Sequence, residues 1–122
     1  AQLVMEMGGK PDAARLARSC AVLHGRDQRL LRWITDTGLV AIFADNYAVE
    51  ELPGPGQQGV AAFAPLHEHC LFKLGVPLGE LWHLTPLAQW LRAAGRTRFL
   101  LTAPPLRLPG AVGSPATPVA TV

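Results

Sequence analysis

The sequence has few cysteines and little charge, and each shortage excludes a class of protein. Two cysteines, Cys20 and Cys70, are too few for a disulfide-stapled secreted scaffold and show no zinc or redox spacing. We therefore expect a reducing, cytoplasmic setting. Charged residues make up only 16% of the 122 residues, with 11 basic against 9 acidic, and no segment clusters lysine or arginine. We therefore expect no binding to nucleic acid.

Long apolar runs are also missing. The longest, residues 39–44 and 60–66, fall far short of the ~20 residues that cross a bilayer, so we expect no membrane span. The chain begins with Ala1, reaches its first methionine at Met5, and carries no signal-peptide pattern before it. This start suggests a processed chain or a fragment.

Hydrophobic residues make up 49% of the chain, which is enough for one modest core. Helical periodicity alternates with short apolar segments, which indicates an α/β or α+β fold. We predict a single domain over residues 1–122, with a helical lead-in (1–37) and a Pro/Gly-rich terminal segment (104–122) whose composition favours a mobile tail. The predicted elements are helices at 11–23, between Asp27 and Gly38, at 65–74 and at 85–95; strands at 39–44, 76–82 and 97–103; and a surface loop at 52–59.

Some of these elements carry more specific expectations. The spacing of Leu16, Cys20 and Leu23 predicts one buried face for the helix over 11–23. We expect Gly75 to end the helix over 65–74, and the continuous apolar run over 39–44 predicts a strand buried on both faces. We expect Thr85 to cap the helix over 85–95, whose predicted buried stripe is Leu87, Trp90, Leu91 and Ala94.

The helix predicted over 65–74 places His67 on an apolar face. At about 100° per residue, its leucines and its cysteine fall within one arc with His67 in the middle, whereas His69 falls outside and reads as a surface residue. A histidine on such a face has two explanations. It is either a core residue bonded to a backbone carbonyl, or a metal ligand or general base that faces a cleft.

Glu80 is an isolated acid in an apolar string. It is the only charged residue between Lys73 and Arg92, and in an extended segment its side chain shares a face with apolar neighbours. A buried carboxylate needs a cation or several donors, so Glu80 is either paired with an arginine or a metal ligand. Gly79 beside it permits close backbone approach. One buried His and one buried Glu from adjacent elements would make half of a metal site.

The other polar candidates are weaker, and for each we expect a structural role. There is no nucleophile elbow, phosphate loop or dinucleotide fingerprint. The expected roles are a loop start for Asp45, solvated surface for Glu50 and Glu51, a helix end for His24, an exposed junction for His83, and core positions for Cys20, Cys70, Trp33, Trp82 and Trp90.

Four blocks of the sequence carry a resemblance to a known family. They are 45–50 (Asp-Asn-Tyr-Ala-Val-Glu); Leu66-His67 with Leu71; 74–82 (Leu-Gly-Val-Pro-Leu-Gly-Glu-Leu-Trp); and 104–110 (Pro-Pro-Leu-Arg-Leu-Pro-Gly) with 113–115 (Gly-Ser-Pro). In order and spacing, the chain from about residue 31 onward resembles the C-terminal half of the cyclase family. That family includes kynurenine formamidase-like and isatin hydrolase-like metal-dependent amide hydrolases. The resemblance implies the family's swivelling β/β/α fold, of which this chain supplies the later strands and helices.

The resemblance also implies a metal site. His67 and Glu80 match the family's two C-terminal metal-ligand positions, and one His with one carboxylate suits zinc or manganese. The family's other ligands lie in an upstream His-x-Gly-Thr-His-x-Asp motif, followed by a catalytic histidine, and this sequence contains no such motif. The implied protein is a metal-dependent hydrolase of aryl formamide or cyclic amide bonds, present here as a C-terminal fragment. The general acid/base would come from the upstream half, and 104–122 would be an ordered loop near the site.

The resemblance also implies a substrate class and an oligomer. The partner would be a small-molecule amide substrate, and the complete protein would be a homo-oligomer, a dimer, because a half-domain with exposed apolar edges seeks a partner chain. The fragment alone would be inactive. The alternative function is a non-catalytic structural or interaction domain, in which His67 and Glu80 are satisfied core polar residues.

Overall fold

The structure, a computed structural model, describes residues 1–19, 21–53 and 62–122. The chain divides into two compact units, residues 1–83 and 84–122. Cys20 and residues 54–61 lie outside the described residues, and with them the predicted core role of Cys20 and most of the predicted 52–59 loop. Within the described ranges, no helix has the length and apolar character needed to cross a membrane.

The chain mixes short helices with short strands, which confirms the predicted α+β class. The helices are α1 (Gln2–Glu6), α2 (Ala13–Ala17), α3 (Gln28–Thr37), α4 (Pro65–His67), which continues as a π-helical segment (Glu68–Leu74), and α5 (Thr85–Ala93). The strands are β1 (Ile42–Phe43), β2 (Leu78–Gly79), β3 (Leu100–Thr102) and β4 (Val119–Thr121).

Helix α3 has the start and stop that its sequence predicts. The Asp27 carboxylate accepts a hydrogen bond from the Arg29 backbone N–H at 2.8 Å, which is the geometry of an N-cap. Gly38 ends the helix with φ 62°, a left-handed conformation that glycine adopts without a steric penalty. Between these ends Ile34 is 1% exposed, so α3 contributes its apolar face to the core.

The helix predicted over 11–23 is much shorter than expected. It is reduced to α2, whose N-cap Asp12 accepts from the Arg15 backbone N–H at 3.0 Å. Leu23, predicted on the buried face of that helix, is extended and 37% exposed. Its backbone N–H donates to Val49 O at 2.9 Å, so an inter-segment bridge replaces the helical hydrogen bond.

The helix predicted over 65–74 is present, and Gly75 ends it at φ 69° as expected. From Glu68 onward, however, it is π-helical, with hydrogen bonds to the fifth residue instead of the fourth. Leu66 and Cys70 are fully buried, as the helical projection predicts. Leu71 and Leu74 are 45% and 36% exposed, so the prediction that they are buried is wrong. The wider π turn rotates these later residues away from the predicted face.

The first unit contains a two-stranded parallel sheet. Strands β1 and β2 pair with Ile42 opposite Leu78 and Phe43 opposite Gly79. The strands predicted over 39–44 and 76–82 are therefore only two residues long. The prediction that 39–44 is buried on both faces is wrong, since β1 is half-buried and Val40 is 86% exposed. The core that packs against this sheet consists of Ile34, Val49, Leu66, Cys70 and Val76.

The second unit contains α5 and an antiparallel strand pair. The cap of α5 is Leu84, without a side-chain hydrogen bond, so the prediction of Thr85 as N-cap is wrong. No residue of α5 is buried, which also corrects the predicted buried stripe of Leu87, Trp90, Leu91 and Ala94.

Strands β3 and β4 pair with Leu100 opposite Thr121 and Thr102 opposite Val119. A further bridge joins Pro105 and Ala116. The terminal segment 104–122 therefore contributes a paired strand, and the mobile tail that its composition favours is wrong. Pairing with β3 satisfies backbone groups of β4, which lies at the end of this segment beyond most of its Pro and Gly residues.

The tryptophans occupy less of the core than predicted. Trp82 is half-buried and stacks on Phe43, with ring centroids 4.1 Å apart and an interplanar angle of 18°. Trp33 and Trp90 are 56% and 40% exposed, so the prediction of core positions is wrong for both. The Trp90 ring is covered by the Arg96 guanidinium, whose carbon lies 5.4 Å from the ring centroid.

Acid should weaken α3 through its cap. Hydrogen bonds from the Arg29 side chain, and then from its backbone N–H, lower the pKa of Asp27 from 3.8 to about 2. A pKa lowered on folding means that the ionised carboxylate stabilises the folded chain above pH 3.8, and that this stabilisation is lost as the pH falls toward 2. We expect Asp27→Asn, which still caps but cannot ionise, to lower the thermal midpoint at neutral pH and not near pH 2. Circular dichroism measures both midpoints, and an equal gap at the two pH values would contradict the assignment.

Candidate metal centre

The site begins with a backbone bridge that directs Glu50 inward. Leu23 and Glu50 form a parallel bridge, in which the Leu23 N–H donates to Val49 O and the Glu51 N–H donates to Leu23 O at 3.0 Å. Because successive side chains of an extended segment point to opposite sides, Glu50 and Glu51 diverge. The Glu50 side chain is 0% exposed and the Glu51 side chain is 66% exposed. The prediction that both are solvated is therefore wrong for Glu50.

The buried Glu50 carboxylate is fully hydrogen-bonded. Its Oε2 accepts from the Leu66 N–H at 3.0 Å, and its Oε1 accepts from the His67 N–H at 2.8 Å. These amides lie in the first turn of α4, where backbone N–H groups have no intrahelical acceptor. Pro65, which precedes them, has no N–H to satisfy. The carboxylate and the helix start therefore satisfy each other, which offsets the cost of burying both.

Gly25 leaves the space that the Glu50 carboxylate occupies. A Cβ atom on Gly25 would overlap Glu50 Oε2 and would lie 3.1 Å from Leu66 Cβ. The requirement here is close approach of the backbone and not an unusual φ angle, because Gly25 is outside the left-handed region. Any larger residue would displace either the carboxylate or the start of α4.

The His67 ring lies between two carboxylates. Its Nδ1 is 2.7 Å from Glu50 Oε1, and its Nε2 is 3.3 Å from Glu80 Oε1. The side chain is 28% exposed, so the ring is neither sealed in the core nor free in water. The structure thus brings the two predicted site residues, His67 and Glu80, into direct contact on the side of the ring opposite Glu50.

Glu80 is held at the carboxyl end of β2. Its Oε1 accepts from the Val49 N–H at 2.9 Å, and its side chain is 31% exposed, so it is half-buried where the sequence predicted burial. The next residue, Leu81, has φ 57°, a strained conformation for a residue with a branched side chain. Its N–H donates to Asn46 O at 2.8 Å, which ties the strained turn to the segment before Glu50.

Gly79 allows the aromatic stack to close against β2. A Cβ atom on Gly79 would overlap Phe43 Cδ1 and would lie 3.0 Å from Trp82 Cε2. The sequence prediction of close approach at this glycine is confirmed. The stacked rings of Phe43 and Trp82 therefore pack on the backbone immediately before Glu80.

The other histidines pair elsewhere in the described residues. His69 is half-buried, not solvated as predicted, and its Nε2 lies 2.9 Å from Thr35 Oγ1. His24 forms an exposed pair with Glu51 at 3.3 Å and does not end a helix, which corrects that prediction. His83 is exposed as predicted, and its Nε2 lies 2.5 Å from Gln2 Oε1. Asp45 lies just beyond β1, as a loop start would.

Cys70 is an inert neighbour of the site. It is 0% exposed, as predicted for a core cysteine. Burial, and to a lesser extent the charge of Glu50, raise the pKa of its thiol. A raised pKa disfavours the thiolate, which is the reactive and metal-binding form. Cys70 therefore packs in the core and adds no donor.

His67 Nε2 and Glu80 Oε1 fit two ligands of one divalent ion. Two donors that each lie about 2.0–2.1 Å from a tetrahedral zinc are separated by roughly 3.3 Å, and these atoms are 3.3 Å apart. The described residues contain no group of three or more His, Cys, Asp or Glu side chains that could hold a metal. The described residues thus offer two metal donors at this position, His67 Nε2 and Glu80 Oε1, whereas a catalytic zinc usually has three protein ligands.

Sequence reasoning missed Glu50 and Gly25. Glu50 is adjacent to the exposed Glu51 and precedes a Pro-Gly loop, so no local pattern separates the two acids. The usable signal is indirect: Pro65 marks a helix start whose next amides need an acceptor. Nothing in the sequence near Pro65 identifies which acid would fill that need.

The chain is similar in sequence and fold to a protein of known structure. A solved structure described as the crystal structure of a novel cyclase matches with 40% sequence identity and a TM-score of 0.63. The match covers 75% of this chain and 28% of that chain, so this chain spans little more than a quarter of the cyclase's length. No family model matches the chain. No curated protein matches it either. The chain is therefore similar to part of a cyclase.

The need for a residue without a side chain at position 25 can be tested by measuring the free energy of unfolding. We expect Gly25→Ala to reduce the free energy of unfolding by about 1–3 kcal/mol, because the added methyl overpacks Glu50 and Leu66. Gly113→Ala is the control, since a Cβ there meets nothing within 4 Å, and it should change stability by less than about 0.5 kcal/mol. Urea denaturation measures both. Equal effects would mean that the space beside Glu50 is not required.

Proposed function

We propose that this chain is part of a metal-dependent amide hydrolase of the cyclase family and that His67 and Glu80 supply two of its metal ligands. The observation that carries the proposal is the 3.3 Å separation of His67 Nε2 from Glu80 Oε1. Both side chains are held by other groups of the chain, because Glu50 contacts His67 Nδ1 and the Val49 N–H donates to Glu80 Oε1. The 40% identity to a cyclase supports the choice of family.

The proposed enzyme needs ligands beyond this pair. Because the described residues offer two donors and the similar cyclase is much longer, we propose that further polypeptide supplies the remaining ligands and the general acid/base. The two blocks of the family resemblance that contain His67 and Glu80 would then mark the half of the site that this chain contributes.

The chain's own residues would hold and orient the ion. His67 offers an imidazole nitrogen, and Glu80 offers a carboxylate that the Val49 N–H fixes in place. When bound, a divalent ion supplies Lewis-acid activation of water and of an amide carbonyl. One imidazole and one carboxylate suit both zinc and manganese. The proposed substrate is a small molecule with an aryl formamide or cyclic amide bond.

A second candidate function is a non-catalytic structural or interaction domain. It is favoured by the fact that both ring nitrogens of His67 already face carboxylates, and that no buried side-chain polar atom of the described residues lacks a partner. In that case His67 and Glu80 would only satisfy each other. Metal binding separates the two functions.

The test compares two histidines of one helical segment. We expect the longer polypeptide that contains this chain to retain stoichiometric zinc or manganese and to hydrolyse an aryl formamide. His67→Ala should remove nearly all of the metal and the activity, because it deletes a ligand. His69→Ala should leave both near normal, because that ring contacts Thr35. Mass spectrometry of the metal content and an absorbance assay of formamide hydrolysis provide the two readouts.

The chain without further polypeptide is the negative control for metal content and activity. We expect it to retain less than stoichiometric metal and to show no hydrolysis, because two ligands bind a divalent ion weakly. Equal losses from His67→Ala and His69→Ala would contradict the assignment of His67. A longer polypeptide that holds no metal would favour the structural domain instead.

A further inference from the structure

We propose that Glu50 is the positioning residue of this site, and that it holds the His67 ring with a proton on Nδ1 so that the unprotonated Nε2 faces Glu80. The proposal rests on the metal-ligand role proposed above for His67 Nε2, and it adds an acid that is not itself a ligand. Glu50 acts through His67 and would touch neither metal nor substrate.

The direction of the Glu50–His67 hydrogen bond follows from the acceptors available. An ionised carboxylate has no proton to donate, and both oxygens of Glu50 already accept backbone N–H groups. The short 2.7 Å contact with Nδ1 therefore requires Nδ1–H to be the donor. A neutral imidazole carries a single N–H, so its Nε2 is left with a lone pair directed at Glu80.

Glu50 outcompetes Glu80 for the ring proton. The Nδ1 contact is 2.7 Å and its carboxylate is 0% exposed, whereas the Nε2 contact is 3.3 Å and its carboxylate is 31% exposed. A hydrogen bond is electrostatically stronger where water is excluded, so the buried contact decides which nitrogen is protonated. Two backbone amides hold the Glu50 carboxylate, and any side chain at Gly25 would displace it, so the direction of the ring is fixed with it.

A buried acid behind a histidine ligand has a known physical effect. Ligand histidines commonly donate their second ring N–H to a carboxylate, which fixes the tautomer and the ring orientation and makes the free nitrogen a better donor. The metal ligands of such a site are only as well ordered as the groups that hold them. The distances around His67 match this arrangement on the Glu50 side.

The chain provides its own control pair. Glu51 and His24 repeat the same residue types at 3.3 Å, but both side chains are about two-thirds exposed. Exposed ion pairs of this kind contribute little to structure. Glu51→Gln therefore changes the same charge at the neighbouring position without touching His67.

The first measurement needs no metal. In the chain labelled with ¹⁵N-histidine, at a pH of about 8, we expect His67 Nδ1 to be protonated and Nε2 to be unprotonated. Loss of its signals in His67→Ala assigns the ring. In Glu50→Gln we expect intermediate ¹⁵N shifts, because the two tautomers then exchange, whereas Glu51→Gln should match the unmodified chain. The backbone amide signals of Leu66 and His67 report whether the start of α4 persists in Glu50→Gln.

The second measurement adds zinc chloride to the same samples. We expect the Nε2 resonance of His67 to shift on coordination while Nδ1 keeps its proton. In Glu50→Gln the zinc affinity should fall about 10–100-fold, which is the usual cost of losing such a carboxylate. Glu51→Gln should leave the affinity within about twofold.

The outcomes separate the two proposals. Protonated Nδ1 in the unmodified chain, with no zinc shift at His67 even in a large excess of zinc chloride, would overturn the metal-ligand role and leave the proton placement by Glu50 intact. Protonated Nε2 with free Nδ1 in the unmodified chain would overturn the role of Glu50, even if Glu50→Gln fails to fold. The same holds for a Glu50→Gln chain whose tautomer and zinc affinity equal those of the unmodified protein.

Discussion

The buried carboxylate of Glu50 is the constraint on which the candidate site depends. Glu50 joins two segments that are distant from it in sequence. Its backbone bridges Leu23 and its carboxylate lies against Gly25 in the same segment, and that carboxylate also accepts the first amides of α4. An unpaired carboxylate would not tolerate full burial, so these contacts have to form together. Once they form, the orientation of His67 is determined by the same group that satisfies the helix start.

The geometry that follows is the one we propose for half of a metal centre. His67 and Glu80 come from different elements and meet at 3.3 Å, on the side of the ring away from Glu50. Glu80 is anchored by a backbone amide at the end of β2, beside the strained turn at Leu81. Two donors alone would bind a metal weakly, so the proposed centre requires further ligands.

The sequence predicted the fold class and the ends of α3 well, because Asp27 and Gly38 are strong local signals. It failed where non-local contacts decided the outcome: the pairing of Leu23 shortened a predicted helix, and the π turn exposed Leu71. His67 and Glu80 stood out because each is a lone polar group on an apolar segment. Glu50 did not, because its burial depends on a glycine and two amides that lie elsewhere in the chain.

Anomalous diffraction from crystals of this chain soaked in a zinc salt is the most direct measurement of the shared ligand pair. We expect one zinc peak about 2.0–2.2 Å from both His67 Nε2 and a Glu80 oxygen, with Nδ1 still in contact with Glu50. A soaked crystal with no zinc between these atoms, or with zinc on the Nδ1 side in place of the Glu50 contact, would contradict the proposal that His67 Nε2 and Glu80 share a metal ion.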